Sequence, residues 1–188
     1  MTDHPCKAVF LDRDGVLNRA VVRAGRPYPP ATPADLQILP DAPSALGAIK
    51  AAGFLLIGVT NQPDVARGTQ RREAVETINA ALIAALPLRE ILVCYHDDRD
   101  GCDCRKPLPG LLLQAAARHA IDLSSSFMIG DRWKDIEAGR RAGCATVLID
   151  QGYAETGPGP RQPDRTVRSL AEAAAWILSR SRSKAGIR

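Results

Sequence analysis

The stretch AVFLDRDGVLN, residues 8–18, carries most of the information about the fold. Its first four residues are apolar and predict a short buried strand. Two carboxylates, Asp12 and Asp14, follow the strand directly, and Gly15 allows a sharp backbone turn behind them. Open α/β sheets bind their ligands at the carboxyl ends of parallel strands. The stretch therefore predicts two carboxylates at a ligand site, although an ordinary Asp-Gly turn after a strand has the same pattern.

Strand-like and helix-like patterns alternate along the rest of the chain. Buried strands are predicted at 8–11, 54–60, 91–95, 127–130 and 145–149. Helices are predicted at 43–52, 71–86, 110–119, 135–142 and 170–178. This alternation is typical of a doubly wound α/β fold with a mostly parallel sheet. The segments 26–40 and 152–163 are predicted as surface excursions, and neither is long enough for a large cap domain.

Length and composition narrow the class of protein. The 188 residues are enough for one domain with a real core, so we expect a single domain over 1–180 and a flexible basic tail over 181–188. A net charge of +4 and an aromatic fraction of 4% argue against nucleic acid as a partner. No apolar run is long enough for a membrane span, and the N-terminus lacks a signal-peptide pattern. We expect a cytoplasmic monomer that acts on a small molecule and binds no membrane.

Three further polar motifs follow later strands: TNQ at 60–62, RKP at 105–107 and GDRWKD at 130–135. A hydroxyl and backbone amides at a strand end can hold phosphoryl oxygens, and Lys and Arg are the standard partners of phosphate. The acids of the third motif could complete a Mg²⁺ site with Asp12. Each motif alone also has an ordinary explanation: a turn, a solvated basic pair or a helix N-cap.

A cluster of cysteines and one histidine predicts a zinc site. The pattern C-x-H-x5-C-x-C is formed by Cys94, His96, Cys102 and Cys104. Three thiolates and an imidazole suit a closed tetrahedral Zn²⁺ site without a vacant position for catalysis. Bound zinc would pin the loop 94–104 and so place the RKP motif that follows it. The alternative is a loop of free thiols with an exposed histidine.

Taken together, the motifs FLDRDGVLN, VTNQ, CRKP and IGDRWKDIEAG resemble the haloacid dehalogenase superfamily of phosphatases, over roughly residues 8–150. The resemblance implies a Rossmann-like sheet without a large cap. It also implies that Asp12 is the nucleophile and Asp14 the general acid and base. Mg²⁺ would be held by Asp12, the main-chain carbonyl of Asp14, and Asp131. Thr60 and Lys106 would bind the phosphoryl oxygens.

The zinc loop and the continuation PDVARG at 63–68 are similar to the heptose-bisphosphate branch of these phosphatases. That branch implies a sugar phosphate as substrate, with Arg105 at its second phosphate. The other residues expected at the substrate are Arg13, Asn61, Gln62, Lys106 and Arg132. The zinc loop is shorter than usual in that branch, and 19–28 shows little resemblance to it. Two alternatives stay open: a phosphatase for histidinol phosphate or another small phosphomonoester, and a non-catalytic, zinc-stabilised binding protein.

Overall fold

The computed structural model describes residues 6–154 and 162–185. Its strands are β1 (Ala8–Leu11), β2 (Val21–Arg23), β3 (Arg26–Tyr28), β4 (Leu55–Asn61), β5 (Glu90–Cys94), β6 (Phe127–Gly130), β7 (Ala145–Ile149) and β8 (Arg165–Val167). Its α-helices are α1 (Ala42–Ala51), α2 (Arg72–Ala85), α3 (Gly110–His119), α4 (Trp133–Ala142) and α5 (Leu170–Ala185). In the described ranges, no helix has the length and apolar character needed to cross a membrane.

Six strands form one sheet in the order β5-β4-β1-β6-β7-β8. Every pairing in this sheet is parallel, which confirms the predicted doubly wound architecture. The chain proceeds from β1 towards β5 on one side and from β6 towards β8 on the other. The strand order therefore reverses beside β1, and such switch points are where ligand crevices form in open sheets.

The central strand β1 is buried on both faces because its four residues are all apolar. Val9 and Leu11 pack into a core shared with α1, α2 and α5. Ala8 and Phe10 face the opposite way, into a second core formed with α3 and α4. Because side chains alternate along a strand, this one short apolar run packs against the helices on both faces of the sheet. The carboxyl end of β1 lies at the crevice.

The predicted strands and most helices lie within two residues of their observed positions. The structure adds the antiparallel hairpin of β2 and β3 and the edge strand β8. These strands are three residues each and mostly exposed, so they lack the apolar run that marks a buried strand.

Of the predicted flexible tail 181–188, residues 181–185 continue α5, and 186–188 lie outside the described ranges. No Gly or Pro interrupts 170–185, and its Ala, Arg and Lys residues favour a helix. Of the predicted loop 152–163, residues 155–161 lie outside the described ranges.

Candidate active site

A cavity of about 490 Å³ opens at the carboxyl end of the sheet, where β1, β4 and β6 finish. All four residues predicted to be catalytic line it: Asp12, Asp14, Thr60 and Lys106. Of the residues predicted to contact substrate, Asn61, Arg105 and Arg132 also line it. The hairpin of β2 and β3 contributes Arg26 and Tyr28, which sequence reasoning missed because this segment has no apolar pattern.

A buried ion cluster lies at the floor of the cavity. The Lys106 Nζ atom lies 2.5 Å from Asp12 Oδ1 and 2.5 Å from Asp135 Oδ1, and it donates a hydrogen bond to the Val59 carbonyl at 2.8 Å. Burial raises the pKa of Asp12 to about 6, although the charge of Lys106 opposes the rise. Burial by itself would lower the pKa of Lys106, but Asp12 and Asp135 outweigh it and raise that pKa. The ammonium group is therefore fixed as a cation against the predicted nucleophile.

Asp131 completes the cluster and has the environment of a cation ligand. It is buried, and neither of its carboxylate oxygens accepts a hydrogen bond of ordinary geometry among the described residues, although burial and the charge of Asp131 raise the pKa of the nearby Tyr153 hydroxyl. Burial raises its pKa well above the ordinary value, and the charges of Asp12 and Asp135 add to the rise. The three carboxylates place one oxygen each within 4.8 Å of one another. Such a set fits Mg²⁺, which prefers a few carboxylates together with water and phosphate oxygens.

Gly15 is required by the position of Asp131. A Cβ atom at Gly15 would lie 1.9 Å from Asp131 Oδ2, and the backbone there has a φ of +93°. A side chain would collide with the carboxylate and strain the turn. The Asp-Gly turn that the sequence predicted therefore makes room for an acid from another strand.

The sequence predicts the acids of the GDRWKD motif at a Mg²⁺ site with Asp12, but it does not predict that Asp135 contacts Lys106. Asp135 lies in the first turn of α4, and its Oδ2 atom accepts a hydrogen bond of 3.1 Å from the Arg132 backbone amide. The alternative from the sequence, Asp131 as the N-cap of this helix, is wrong, because Arg132 is the N-cap residue and Asp135 accepts from its backbone amide. The contact between Asp135 and Lys106 joins α4 to the RKP motif, and these are close only in the folded chain. Membership of the GDRWKD motif was the signal available in the sequence.

Asp14 is held by side chains on several sides. Its carboxylate accepts hydrogen bonds from Arg13 Nη2, Asn18 Nδ2 and Gln62 Nε2, each at 2.9 Å. The Gln62 amide also donates to Thr60 Oγ1 at 3.0 Å. Gln62 is only 1% exposed, so this residue orients Asp14 and Thr60 from below rather than facing the opening.

The prediction that Arg13 contacts substrate is wrong. Its side chain is fully buried, and its Nη1 atom donates a 3.0 Å hydrogen bond to Asn79 Oδ1. Asp12 and Asp14 line the cavity, whereas Arg13, at the bend between them, is directed into the interior.

The TNQ and RKP motifs are tied together through Asn61. Its Nδ2 atom donates to the Lys106 carbonyl at 2.9 Å, and its Oδ1 atom accepts from the Lys106 amide at 3.1 Å. The side-chain amide thus pairs with both backbone groups of Lys106. Asn61 borders the cavity, but its hydrogen-bonding atoms serve to position Lys106.

Arg105 lies at the cavity wall with part of its guanidinium unused. The Nε atom donates to Asp98 Oδ1 at 2.7 Å, and the side chain is 11% exposed. The Nη1 atom is buried without a hydrogen-bond partner among the described residues. A buried, unpaired guanidinium nitrogen beside a polar cavity is suited to an anionic group of a ligand.

The four predicted zinc ligands converge at the end of β5. The Cys94 Sγ atom lies 3.7 Å from both His96 Nδ1 and Cys102 Sγ. The Cys104 Sγ atom lies 3.2 Å from Cys94 Sγ and 3.3 Å from His96 Nδ1. Ligand atoms on a tetrahedral zinc ion lie about 3.5 to 3.8 Å apart. The two distances to Cys104 Sγ are slightly shorter than this range, and all four ligand atoms lie within 4.8 Å of one another. Since the described cysteines form no disulfide, the donor set fits Zn²⁺.

Arg67, from the segment after TNQ, links this loop to the cavity. Its Nη2 atom lies 2.5 Å from Asp97 Oδ1 and its Nη1 atom 3.3 Å from Asp64 Oδ1. The hydrogen bond from Arg67 lowers the pKa of Asp97 to about 2. The two loops that border the cavity are therefore held against each other.

Comparison with known proteins identifies the family. The HAD-hydrolase-like family model matches residues 103–173. The D-glycero-β-D-manno-heptose-1,7-bisphosphate 7-phosphatase of Pasteurella multocida is 37% identical over 178 residues, which cover 88% of this chain and 94% of the relative. The enzyme of the same name from Pseudomonas aeruginosa is 32% identical over 177 residues, covering 90% and 97%.

A solved structure has the same fold. The crystal structure of D,D-heptose 1,7-bisphosphate phosphatase from B. bronchiseptica, complexed with magnesium and phosphate, superimposes with a TM-score of 0.76 at 30% identity. The match covers 93% of this chain and 99% of that one. With this fold, this site and relatives matched over nearly their whole length, the chain belongs to the haloacid dehalogenase-like family of phosphatases.

Proposed function

We propose that this chain removes the 7-phosphate of a D-glycero-D-manno-heptose 1,7-bisphosphate. The observation that carries the proposal is the buried cluster of Asp12, Lys106, Asp131 and Asp135 at the floor of a cavity whose wall holds Arg105. The cluster at the floor is suited to bind the phosphate that reacts, and Arg105 at the wall is suited to bind the second phosphate of the substrate. The names of the relatives, which match over nearly their whole length, support the same substrate.

The proposed reaction has two steps. An oxygen of Asp12 attacks phosphorus, the bond from phosphorus to the sugar oxygen breaks, and Asp14 gives that oxygen a proton. Asp14 then takes a proton from water, whose oxygen attacks the phosphorus of the aspartyl phosphate; the bond from phosphorus to the Asp12 oxygen breaks, which restores the carboxylate and releases inorganic phosphate. Lys106, 2.5 Å from Asp12, offsets the negative charge that gathers there, and Thr60 donates to a phosphoryl oxygen.

Mg²⁺ is the proposed cofactor. Asp12, the main-chain carbonyl of Asp14, and Asp131 would hold it, and the oxygens of Asp131, which accept no hydrogen bond of ordinary geometry among the described residues, support this assignment. When bound, the ion neutralises charge on the carboxylates and on the phosphate. The name of the B. bronchiseptica structure, which includes magnesium and phosphate, supports the same choice.

We also propose a structural Zn²⁺ ion on the four ligands of the loop 94–104. Since all four positions are supplied by the protein, zinc would stabilise the loop rather than react. The loop leads directly into Arg105 and Lys106, so its order would determine where these two cations lie.

A panel of three substrates tests the proposal: heptose 1,7-bisphosphate, fructose 1,6-bisphosphate and histidinol phosphate. We expect the highest kcat/KM for the heptose bisphosphate, in the presence of Mg²⁺. A preference for histidinol phosphate would contradict the proposed substrate but would still agree with the proposed hydrolysis of a phosphomonoester. Absence of phosphate release from every member, and from 4-nitrophenyl phosphate, would contradict the chemistry itself. The single domain over 1–180, the monomeric state and the cytoplasmic location stay predictions.

A further inference from the structure

The helix α2 carries a buried polar residue that the proposed reaction does not use. Four of its residues are buried, namely Val75, Ile78, Asn79 and Leu82, and they form the stripe that faces the core. Asn79 is the one polar member of this stripe, in a helix that is described along its whole length. A buried amide in an apolar stripe is costly unless it is hydrogen-bonded. Its Oδ1 atom accepts the 3.0 Å hydrogen bond from Arg13 Nη1.

Arg13 links Asn79 to Asp14, the predicted general acid and base. Its Nε atom lies 3.2 Å from each carboxylate oxygen of Asp14, and its Nη2 atom lies 2.9 Å from Asp14 Oδ2. The guanidinium is planar and donates in a fixed fork, so its orientation sets the plane in which the carboxylate lies. The Nη1 atom of Arg13 donates to Asn79, and this hydrogen bond fixes the orientation of the guanidinium from the side opposite Asp14.

We infer that Asn79 and Arg13 are positioning residues that set the location of the Asp14 carboxylate, and hence the proton transfer to the leaving sugar oxygen. The inference rests on the proposed function, because it takes Asp14 as the general acid. The chain of contacts reaches Asp14 from a helix that carries none of the sequence motifs. Neither residue touches substrate: Arg13 is fully buried and Asn79 is 7% exposed.

The test compares substrates that differ in their need for an acid. A sugar oxygen is a poor leaving group and needs a proton as it departs, whereas 4-nitrophenolate leaves readily without one. Asn79→Leu keeps the approximate volume but removes the acceptor for Arg13. We expect kcat/KM for heptose 1,7-bisphosphate to fall about tenfold or more, and for 4-nitrophenyl phosphate to fall less than about threefold.

Two controls separate positioning from general damage. Asn79→Asp keeps an oxygen in place for Arg13, so we expect it to restore most of the lost kcat/KM. Leu82→Ala, on the same buried stripe, should lower the melting temperature without changing the ratio between the two substrates. If Asn79→Leu does not fold, Asn79→Ala serves the same comparison.

Asp14→Asn is the reference for the loss of the acid itself. The ratio that decides is kcat/KM for heptose 1,7-bisphosphate divided by kcat/KM for 4-nitrophenyl phosphate. If Asp14→Asn lowers this ratio and Asn79→Leu leaves it at the wild-type value, the inferred role of Asn79 is wrong. An equal fall on both substrates for Asn79→Leu also contradicts it, because a merely structural role would act on both. If Asp14→Asn leaves the ratio unchanged, the proposed mechanism fails instead, independently of Asn79.

Discussion

Replacing Arg105 with alanine should impair the hydrolysis of a bisphosphate far more than that of a monophosphate. The Nη1 atom of Arg105 is buried at the cavity without a hydrogen-bond partner among the described residues, while its Nε atom is bound to Asp98. A second phosphate in the cavity would lie against the part of the Arg105 side chain that lines it. The reacting phosphate is served by Lys106, which the substitution leaves in place.

The magnitude follows from the kind of hydrogen bond that is lost. A hydrogen bond to a charged group contributes about 1.5 to 3 kcal/mol, which corresponds to roughly ten- to a hundredfold in kcat/KM. The Arg105 side chain is 11% exposed, so solvent screens the contact only in part. We therefore expect about this loss for heptose 1,7-bisphosphate and less than about threefold for its 7-monophosphate.

The assay is the release of inorganic phosphate from both substrates under identical conditions. Arg99→Ala is the matched control, since Arg99 belongs to the same loop and is exposed but does not line the cavity. Arg105→Ala also leaves Asp98 without its hydrogen bond from Arg105. Asp98→Asn checks that the loss of activity does not come from this change at Asp98. An equal loss on both substrates for Arg105→Ala, or an equal effect of Arg99→Ala, would refute the reasoning.

Two more predictions concern the metals. Purified protein should contain about one zinc ion per chain, and Cys102→Ala should lower zinc content, melting temperature and substrate affinity together; native protein free of zinc by elemental analysis would contradict the assignment. Gly15→Ala should raise the Mg²⁺ concentration needed for half-maximal activity, because the new Cβ atom would meet Asp131 Oδ2 at 1.9 Å; an unchanged magnesium titration would show that Asp131 is not a ligand.

The parts of the fold that follow from local pattern could be predicted from the sequence. Apolar runs located five of the six strands of the sheet, and their parallel order brought the strand-end motifs to one edge. Asp12, Thr60 and Lys106 therefore border one cavity, as expected. The edge strand β8 and the hairpin of β2 and β3 could not be found in this way, because their residues are mostly exposed and carry no burial pattern.

The details of the site depend on partners that are distant in sequence. Arg13 stands between two cavity-facing aspartates, but its direction is fixed by Asn79, which lies 66 residues away. Gln62 belongs to the TNQ motif and was predicted at the substrate, yet its amide is used by Asp14, 48 residues away. Asp135 contacts Lys106 only because α4 and the RKP motif, which follows the zinc loop, meet in the folded chain. Motif spacing identifies such residues but cannot assign their contacts.

The central claim is that Asp12 carries the phosphoryl group during turnover. The enzyme should be quenched in acid while it hydrolyses heptose 1,7-bisphosphate, treated with borohydride, which reduces an aspartyl phosphate to homoserine, and digested for peptide mass spectrometry. We predict homoserine at position 12 in the wild-type chain only during turnover. Asp12→Asn should give no homoserine and no phosphate release. Rapid turnover with unmodified Asp12, or homoserine at another aspartate, would contradict the mechanism.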